Sequence, residues 1–162
     1  METNGRASFD LKKQVRKLKT DIEIQRLVYG IDAHENGLAD ITLVVGGAVI
    51  SGKAIGVREY YERLGQQMVK NITDEQVAKT QLESYRKKGI QIQEKTDRIL
   101  KNDNVSDEEW FESLPRFIHL TNLQMTLGFG LTAAPIVLRL KIESIDGFAL
   151  GSIASHTKVH TP

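Results

Sequence analysis

The pattern of apolar and polar positions is most regular in residues 40–53, where it predicts a β-hairpin. Two apolar runs rich in β-branched residues flank Gly46 and Gly47, and a glycine pair readily adopts the positive φ angles of a two-residue hairpin turn. With Val45 opposite Ala48, one face becomes uniformly apolar. That face comprises Ile41, Leu43, Val45, Ala48 and Ile50. A slip of one residue would mix it with polar side chains, so we expect this register and a buried apolar face.

The opposite face of the hairpin is mostly polar but carries two valines. It comprises Asp40, Thr42, Val44, Val49, Ser51 and Lys53. The register pairs the threonine with the serine and the aspartate with the lysine, and both are favourable cross-strand pairs. The valines on this face predict partial cover by a helix or by a second copy of the chain. Val44 and Val49 are therefore candidate self-association residues.

Helix-start signals precede and follow the hairpin. Sequences of the capping-box type occur at Thr20–Glu23, Thr73–Gln76 and Ser106–Glu109. The first predicts a helix that ends at Asn36 and Gly37 and leads into the hairpin. The second predicts a long helix to about Leu100, and the third predicts a short one. Together with a helically spaced segment directly after the hairpin, they predict a helical insertion over about residues 57–115.

The long helix carries one heptad-like line of residues, here called the seam. The seam comprises Ala78, Leu82, Tyr85, Gly89, Ile92, Thr96 and Ile99. Glycine and threonine at two of the seven positions make it a poor coiled coil. It therefore predicts either packing on the surface of the same domain or a weak association face between copies. On the second interpretation, the candidate self-association residues are Leu82, Tyr85, Ile92 and Ile99.

Strand-like patterns return after the helices. Apolar residues occupy even positions up to Leu120 and odd positions from Leu123 onwards. This change of parity predicts a β-bulge at Thr121 and Asn122, because an extra residue would keep both halves of the strand facing one core.

The end of the chain predicts a loop, a strand and a final hairpin. Residues 128–135 have the composition of a loop, and residues 136–143 alternate as a strand. Asp146 and Gly147 then predict a tight turn with Gly147 in the left-handed region, which would pair the last strand with the strand before it.

These elements predict an α+β fold built on a small antiparallel sheet of about five strands. Bends at Gly52, at the predicted bulge and at Gly147 would curl the sheet into a partly open, Sm-like barrel. An N-terminal helix precedes the sheet, and the helical insertion lies between strands 2 and 3. We expect one domain over residues 20–153, a basic extension over residues 1–19 and a disordered tail over residues 154–162.

Composition narrows the functional classes. The chain has 162 residues, of which 40% are hydrophobic and 27% charged, as is ordinary for one globular domain. A net charge of +1 and an aromatic content of 6% do not indicate a nucleic-acid surface. The chain has no cysteine, no apolar run near its start and none long enough to span a membrane. We therefore expect a soluble, cytoplasmic protein that does not bind membranes.

The clearest charge asymmetry lies in residues 1–19. The basic residues of its second half are Lys12, Lys13, Arg16, Lys17 and Lys19. This segment predicts either a solvated terminal helix or an electrostatic contact with an acidic surface. On the second interpretation these five residues form the contact.

No catalytic or metal site is predicted. None of the four histidines has a ligand partner at metal-binding spacing. His119 lies in a predicted strand without a neighbouring acid or nucleophile, so we expect a structural role. The acids Asp107–Glu109 fit the first turn of a helix, and Gly128-x-Gly130 lacks the third glycine of a dinucleotide fingerprint. We therefore expect a non-enzymatic protein without a cofactor.

Four of these stretches, in this order, resemble the gas vesicle accessory protein U (GvpU) family. They are residues 40–52, Arg58–Tyr61, Phe117–Asn122 and Ile145–Gly151. The likeness covers about residues 20–64 and 116–153, whereas residues 65–115 diverge from it. The resemblance implies a non-enzymatic cytoplasmic protein that associates with gas vesicles or other gas vesicle proteins. It also implies a homo-oligomer that promotes vesicle clustering, and it carries over no catalytic residues.

A second interpretation is an Sm-like small-barrel oligomer that binds RNA. The leading helix, the bent second strand and the predicted final hairpin are similar to that architecture. The near-neutral charge and the scarcity of aromatic residues weigh against RNA as the ligand.

Overall fold

A computed structural model describes residues 21–34, 37–102, 104–127, 130–134 and 136–152. The helices are α1 (Ile22–Ala33), α2 (Val57–Val69), α3 (Glu75–Leu100) and α4 (Asp107–Ser113). The strands are β1 (Leu38–Val45), β2 (Ala48–Ile55), β3 (Phe117–Leu127), β4 (Gly130–Ala134), β5 (Leu138–Lys141) and β6 (Gly147–Leu150). The predicted extension, residues 1–19, and the predicted tail, residues 154–162, lie outside the described residues.

The six strands form one antiparallel sheet. Its order is β4-β3-β2-β1-β6, and β5 also pairs with β3. β4 lies beside the second half of β3 and β5 beside the first half, so the two short strands share one edge and the sheet has five strand positions. The predicted mixed α and β class with an antiparallel sheet of about five strands is confirmed.

The predicted Sm-like barrel is not confirmed, because the sheet is open. β6 pairs with β1 and lies at one edge, while β4 and β5 lie at the other. Closure would require β6 to pair with that far edge as well. β5 is only 4 residues long and ends in a 3₁₀ turn (Ile142–Ser144) that directs the chain towards β1.

The predicted hairpin register is confirmed. Val45 lies opposite Ala48, Thr42 opposite Ser51 and Asp40 opposite Lys53 along β1 and β2. Gly46 and Gly47 adopt φ angles of 55° and 80° in the turn. On the polar face the threonine hydroxyl donates to the serine oxygen at 3.2 Å, and the lysine and aspartate form an ion pair at 3.0 Å.

The predicted bulge in β3 is confirmed, and it explains the bend at Gly52. Ser51 of β2 lies opposite Gln124 of β3, and Lys53 lies opposite Thr121. One residue separates the pair in β2 and two separate their partners in β3, so β3 has one extra residue there. Asn122 absorbs it with a φ angle of 52°. A Cβ atom on Gly52 would lie 2.9 Å from the Thr121 carbonyl oxygen. Only glycine lets the two backbones approach this closely.

The last third of the chain differs from the prediction in two places. Residues 130–134, predicted as loop, form β4 against the end of β3. The predicted turn at Gly147 is also wrong, because β6 pairs with β1 and not with β5. Asp146 explains the difference: its carboxylate accepts from the Gly46 amide at 2.7 Å, and its own amide donates to the Val44 carbonyl at 2.8 Å. These bonds fasten the start of β6 to the β1–β2 turn.

The sheet is packed on both faces. α1 covers the apolar face, where the core comprises Ile24, Val28, Ile31, Ile41, Leu43, Ile50, Ala54, Ile118, Leu120, Leu123 and Ile142. On the opposite face, α2 packs through a second cluster that comprises Ile55, Val57, Tyr60 and Tyr61. α3 then packs on α2.

Two of the predicted helix starts move by one residue. Asp21, not Thr20, caps α1, and Asp74, not Thr73, caps α3. In both helices the aspartate carboxylate accepts hydrogen bonding from the backbone N–H groups of the first turn. The box at Ser106–Glu109 is confirmed in both directions.

Candidate interaction surface

The outer face of the sheet is divided into a covered half and a more open half. α2 covers the half around Ile55 and His119. In the other half, Val44 and Val49 lie opposite each other near the hairpin turn. Val44 is 37% exposed and Val49 is partly buried. The two valines therefore form a small apolar patch beside the turn.

The seam of α3 packs mainly within the chain. A Cβ on Gly65 of α2 would lie 3.0 Å from side-chain atoms of both Leu82 and Tyr85, and Gly89 of α3 faces the α2 backbone at Arg58. Ile92 and Tyr85 pack against the second cluster, and Ile99 is partly buried. The four candidate residues of the seam are thus engaged with α2 or partly buried, which leaves less apolar surface there for another copy.

Asp32 links the end of α1 to the start of α2 and to the second half of α3. Its carboxylate accepts from the Val57 amide at 2.6 Å, and this replaces the side-chain cap that Gly56 cannot give to α2. Its carbonyl oxygen accepts from Gln93 Nε2 of α3 at 2.5 Å. Burial raises the pKa of Asp32 to about 6, the bond from Val57 opposes this rise, and the charge of Asp97 adds to it. This junction positions α2 and α3 against α1 and the sheet.

His119 is a packing residue of the covered half. It is 4% exposed and stacks on Tyr60 with ring centroids 4.3 Å apart. Neither ring nitrogen has a hydrogen-bond partner among the described residues. Burial, with a smaller contribution from the nearby charge of Arg139, lowers the pKa of His119 to about 3. The ring is therefore held neutral and apolar in character, without the partners that proton transfer requires.

We expect His119 to make stability depend on pH. Its pKa in the folded chain lies below the unfolded value of about 6.5. The contribution of the neutral ring to the free energy of unfolding is therefore fully present above pH 6.5 and is lost as the pH falls towards 3. His119→Phe retains the stacking surface and removes the titration. Relative to this variant, the wild type should lose roughly 1.4 kcal/mol of unfolding free energy per pH unit between about pH 6.5 and pH 3. Urea unfolding at several pH values measures this difference, and parallel curves for the two proteins would contradict it.

Lys12, Lys13, Arg16, Lys17 and Lys19 lie outside the described residues. Within the described ranges, no group of three or more histidine, aspartate or glutamate side chains is arranged to hold a metal ion. In the same ranges, no helix has the length and apolar character needed to cross a membrane.

Comparison with known proteins gives one result that covers most of the chain. A family model described as gas vesicle protein GvpU-like matches residues 21–153. No curated protein and no solved structure matches the chain significantly. The matched region includes all the strands and helices described above.

Proposed function

Because the chain belongs to the GvpU-like family of gas vesicle proteins, we propose that it binds gas vesicles or their accessory proteins and draws vesicles together by self-association. The observation that carries the proposal is the family match over residues 21–153. The family is not a known enzyme family, and we propose a non-enzymatic role in the cytoplasm at the vesicle surface. This family gives no support to the RNA-binding alternative.

Clustering requires two separate contacts in each molecule. One contact binds a vesicle component, and the other binds a second copy of the chain. A vesicle presents many equivalent sites, so many weak contacts add through avidity and each can be weak on its own. A small domain with modest exposed apolar surface is compatible with such contacts.

We assign the vesicle contact to the basic segment. Lys12, Lys13, Arg16, Lys17 and Lys19 place five positive charges within eight positions of the sequence. Their attraction to an acidic surface would weaken as salt shortens the Debye length from roughly 30 Å at 0.01 M to 3 Å at 1 M. Self-association through apolar surface, in contrast, should persist at high salt.

Co-sedimentation with purified gas vesicles tests this function. We expect the protein to sediment with the vesicles at low salt and to be released progressively as salt is raised. Changing Lys12, Lys13, Arg16 and Lys17 to glutamate should abolish sedimentation at low salt. The matched control changes four exposed lysines of the helical insertion, Lys70, Lys79, Lys87 and Lys95, to glutamate, and should leave sedimentation unchanged. Absence of the wild-type protein from the vesicle pellet at low salt, with accessory proteins present, would refute the proposal.

A further inference from the structure

β6 is an edge strand of the described sheet. It pairs with β1 on one side, and within the described residues no strand pairs with its other side. β6 consists of Gly147, Phe148, Ala149 and Leu150, and the next residue is Gly151. An unprotected edge strand of this kind is a template for pairing with another strand.

The hydrogen-bond pattern shows which backbone groups face outwards. The Gly151 amide donates to the Asp40 carbonyl at 2.7 Å, so these two opposed residues form a hydrogen-bonded pair. In an antiparallel ladder, hydrogen-bonded and non-hydrogen-bonded pairs alternate. Phe148 and Leu150 therefore belong to non-hydrogen-bonded pairs with β1, and their amides and carbonyls point away from the sheet.

The side chains of this edge extend the apolar face of the sheet beyond its cover. Phe148 lies opposite Leu43 and Leu150 opposite Ile41, and both β1 residues are completely buried. Yet Phe148 is 36% exposed and Leu150 is 69% exposed. The core face of the sheet therefore continues into exposed apolar surface at β6.

Charge favours self-pairing of this edge. β6 contains no charged residue, so a copy of it can lie alongside without bringing like charges together. β5, on the opposite edge, carries Arg139 and Lys141 and would repel its own copy. Charged side chains on an edge strand are a common defence against pairing, and β6 lacks them.

We infer that β6 pairs antiparallel with β6 of a second copy around a twofold axis. With Ala149 opposite Ala149 of the second copy, Phe148 faces Leu150 in both halves. All the outward amides and carbonyls of these two residues then form four hydrogen bonds, and their side chains cover each other on the core face. The glycines at 147 and 151 face each other at the ends, where no side chain obstructs the approach.

This interface is small, so the dimer should be weak. Pairing of two strands of 4 residues buries well below the roughly 1,200 Å² of a standard stable interface. We expect a monomer–dimer equilibrium that shifts towards the dimer between micromolar and millimolar concentration. A twofold dimer presents two vesicle-binding surfaces, which is the minimum needed to connect two vesicles. The dimer therefore supplies a physical basis for the proposed clustering. Only its expected effect on vesicles rests on the proposed function.

Sedimentation equilibrium of the full chain tests the dimer. Leu150→Lys places a charge opposite Phe148 of the second copy and brings the two new lysines close together on a diagonal across the interface, so it should weaken dimerisation at least about tenfold. Leu38→Lys changes another exposed leucine of the sheet, 49% exposed, and should leave dimerisation unchanged. A wild-type protein that stays monomeric throughout, or a Leu150→Lys variant that associates like the wild type, would overturn the inference.

A single engineered cysteine tests the register without disrupting the interface. The chain has no cysteine of its own. In the proposed register the two copies of residue 149 form a non-hydrogen-bonded pair with Cα atoms about 4.5 Å apart, which is within disulfide range. Ala149→Cys should therefore form a covalent dimer on mild oxidation, whereas Leu38→Cys should not. Equal crosslinking of both variants, or none for Ala149→Cys, would overturn the register.

Vesicle experiments separate this inference from the proposed function. The Leu150→Lys variant should still sediment with purified gas vesicles but should no longer cluster them. Clustering equal to that of the wild type would overturn the role of β6 and leave the proposed function intact. If the wild type does not bind vesicles at all, the proposed function fails, and the solution dimer and the crosslink still decide the inference.

Discussion

Replacing Leu43 by alanine is expected to lower the free energy of unfolding by about 2–5 kcal/mol. Leu43 is completely buried at the centre of the sheet, where β1 pairs with both β2 and β6. Shortening its side chain leaves a cavity that the surrounding strands cannot close, because their register is held on both sides. Chemical denaturation of the two proteins under identical conditions measures the difference.

The neighbouring residue supplies the matched control. Val44 points to the other face of the same strand and is 37% exposed, so Val44→Ala should cost below about 1 kcal/mol. Equal losses for the two variants would mean that the hairpin does not present Leu43 to the core.

Replacing Gly52 by alanine is expected to cost about 1–3 kcal/mol, although it adds a single methyl group. The added Cβ would lie 2.9 Å from the Thr121 carbonyl oxygen and 3.1 Å from Leu123 Cδ2. The first of these atoms belongs to the backbone of the bulge and cannot move without disturbing the β2–β3 ladder. Thermal or urea unfolding measures the loss.

Gly147→Ala is the control for this prediction. Apart from the glycine and its chain neighbours, no heavy atom of the described residues lies within 4 Å of the position that its Cβ would take, and Gly147 has no positive φ angle. The substitution should change stability little or raise it slightly, because alanine restricts the unfolded chain more than glycine does. A Gly52→Ala variant as stable as the Gly147→Ala variant would show that β2 and β3 do not approach as closely as described.

Local patterns were sufficient to predict the hairpin and the bulge. The β1–β2 register follows from alternating residues and a glycine pair, which are all within a few positions of one another. The bulge at Asn122 follows from a change of parity in one strand. Both features are determined by which side chains face the core, and that information lies in the local sequence.

Features that depend on distant partners were not predictable in the same way. The partner of β6 is selected by Asp146, whose carboxylate bonds to Gly46 100 positions away in the chain. β4 is short, and its residues in the sequence are small and loop-like, so its strand depends on pairing with β3. Sequence proximity instead favoured a local hairpin between β5 and β6, which the structure does not contain.

The candidate surface was predicted only in part. The sequence periodicity identifies the seam as one face of α3, but it does not identify α2 as the partner. Periodicity shows which face of a helix is buried and not which element covers it. Gly65 and Gly89 were the available signal, since small residues at matching positions permit close approach of two helices. The edge position of β6 depends on the whole strand order, so it emerges only once the sheet is known.

We propose that this GvpU-like protein clusters gas vesicles by binding both vesicles and its own copies. Fluorescence microscopy of purified vesicles mixed with increasing amounts of wild-type protein at low salt tests it most directly. We predict that dispersed vesicles gather into clusters as protein is added, and that the clusters disperse when salt is raised. Vesicles that remain dispersed at every protein concentration, although the protein is bound to them, would contradict the claim.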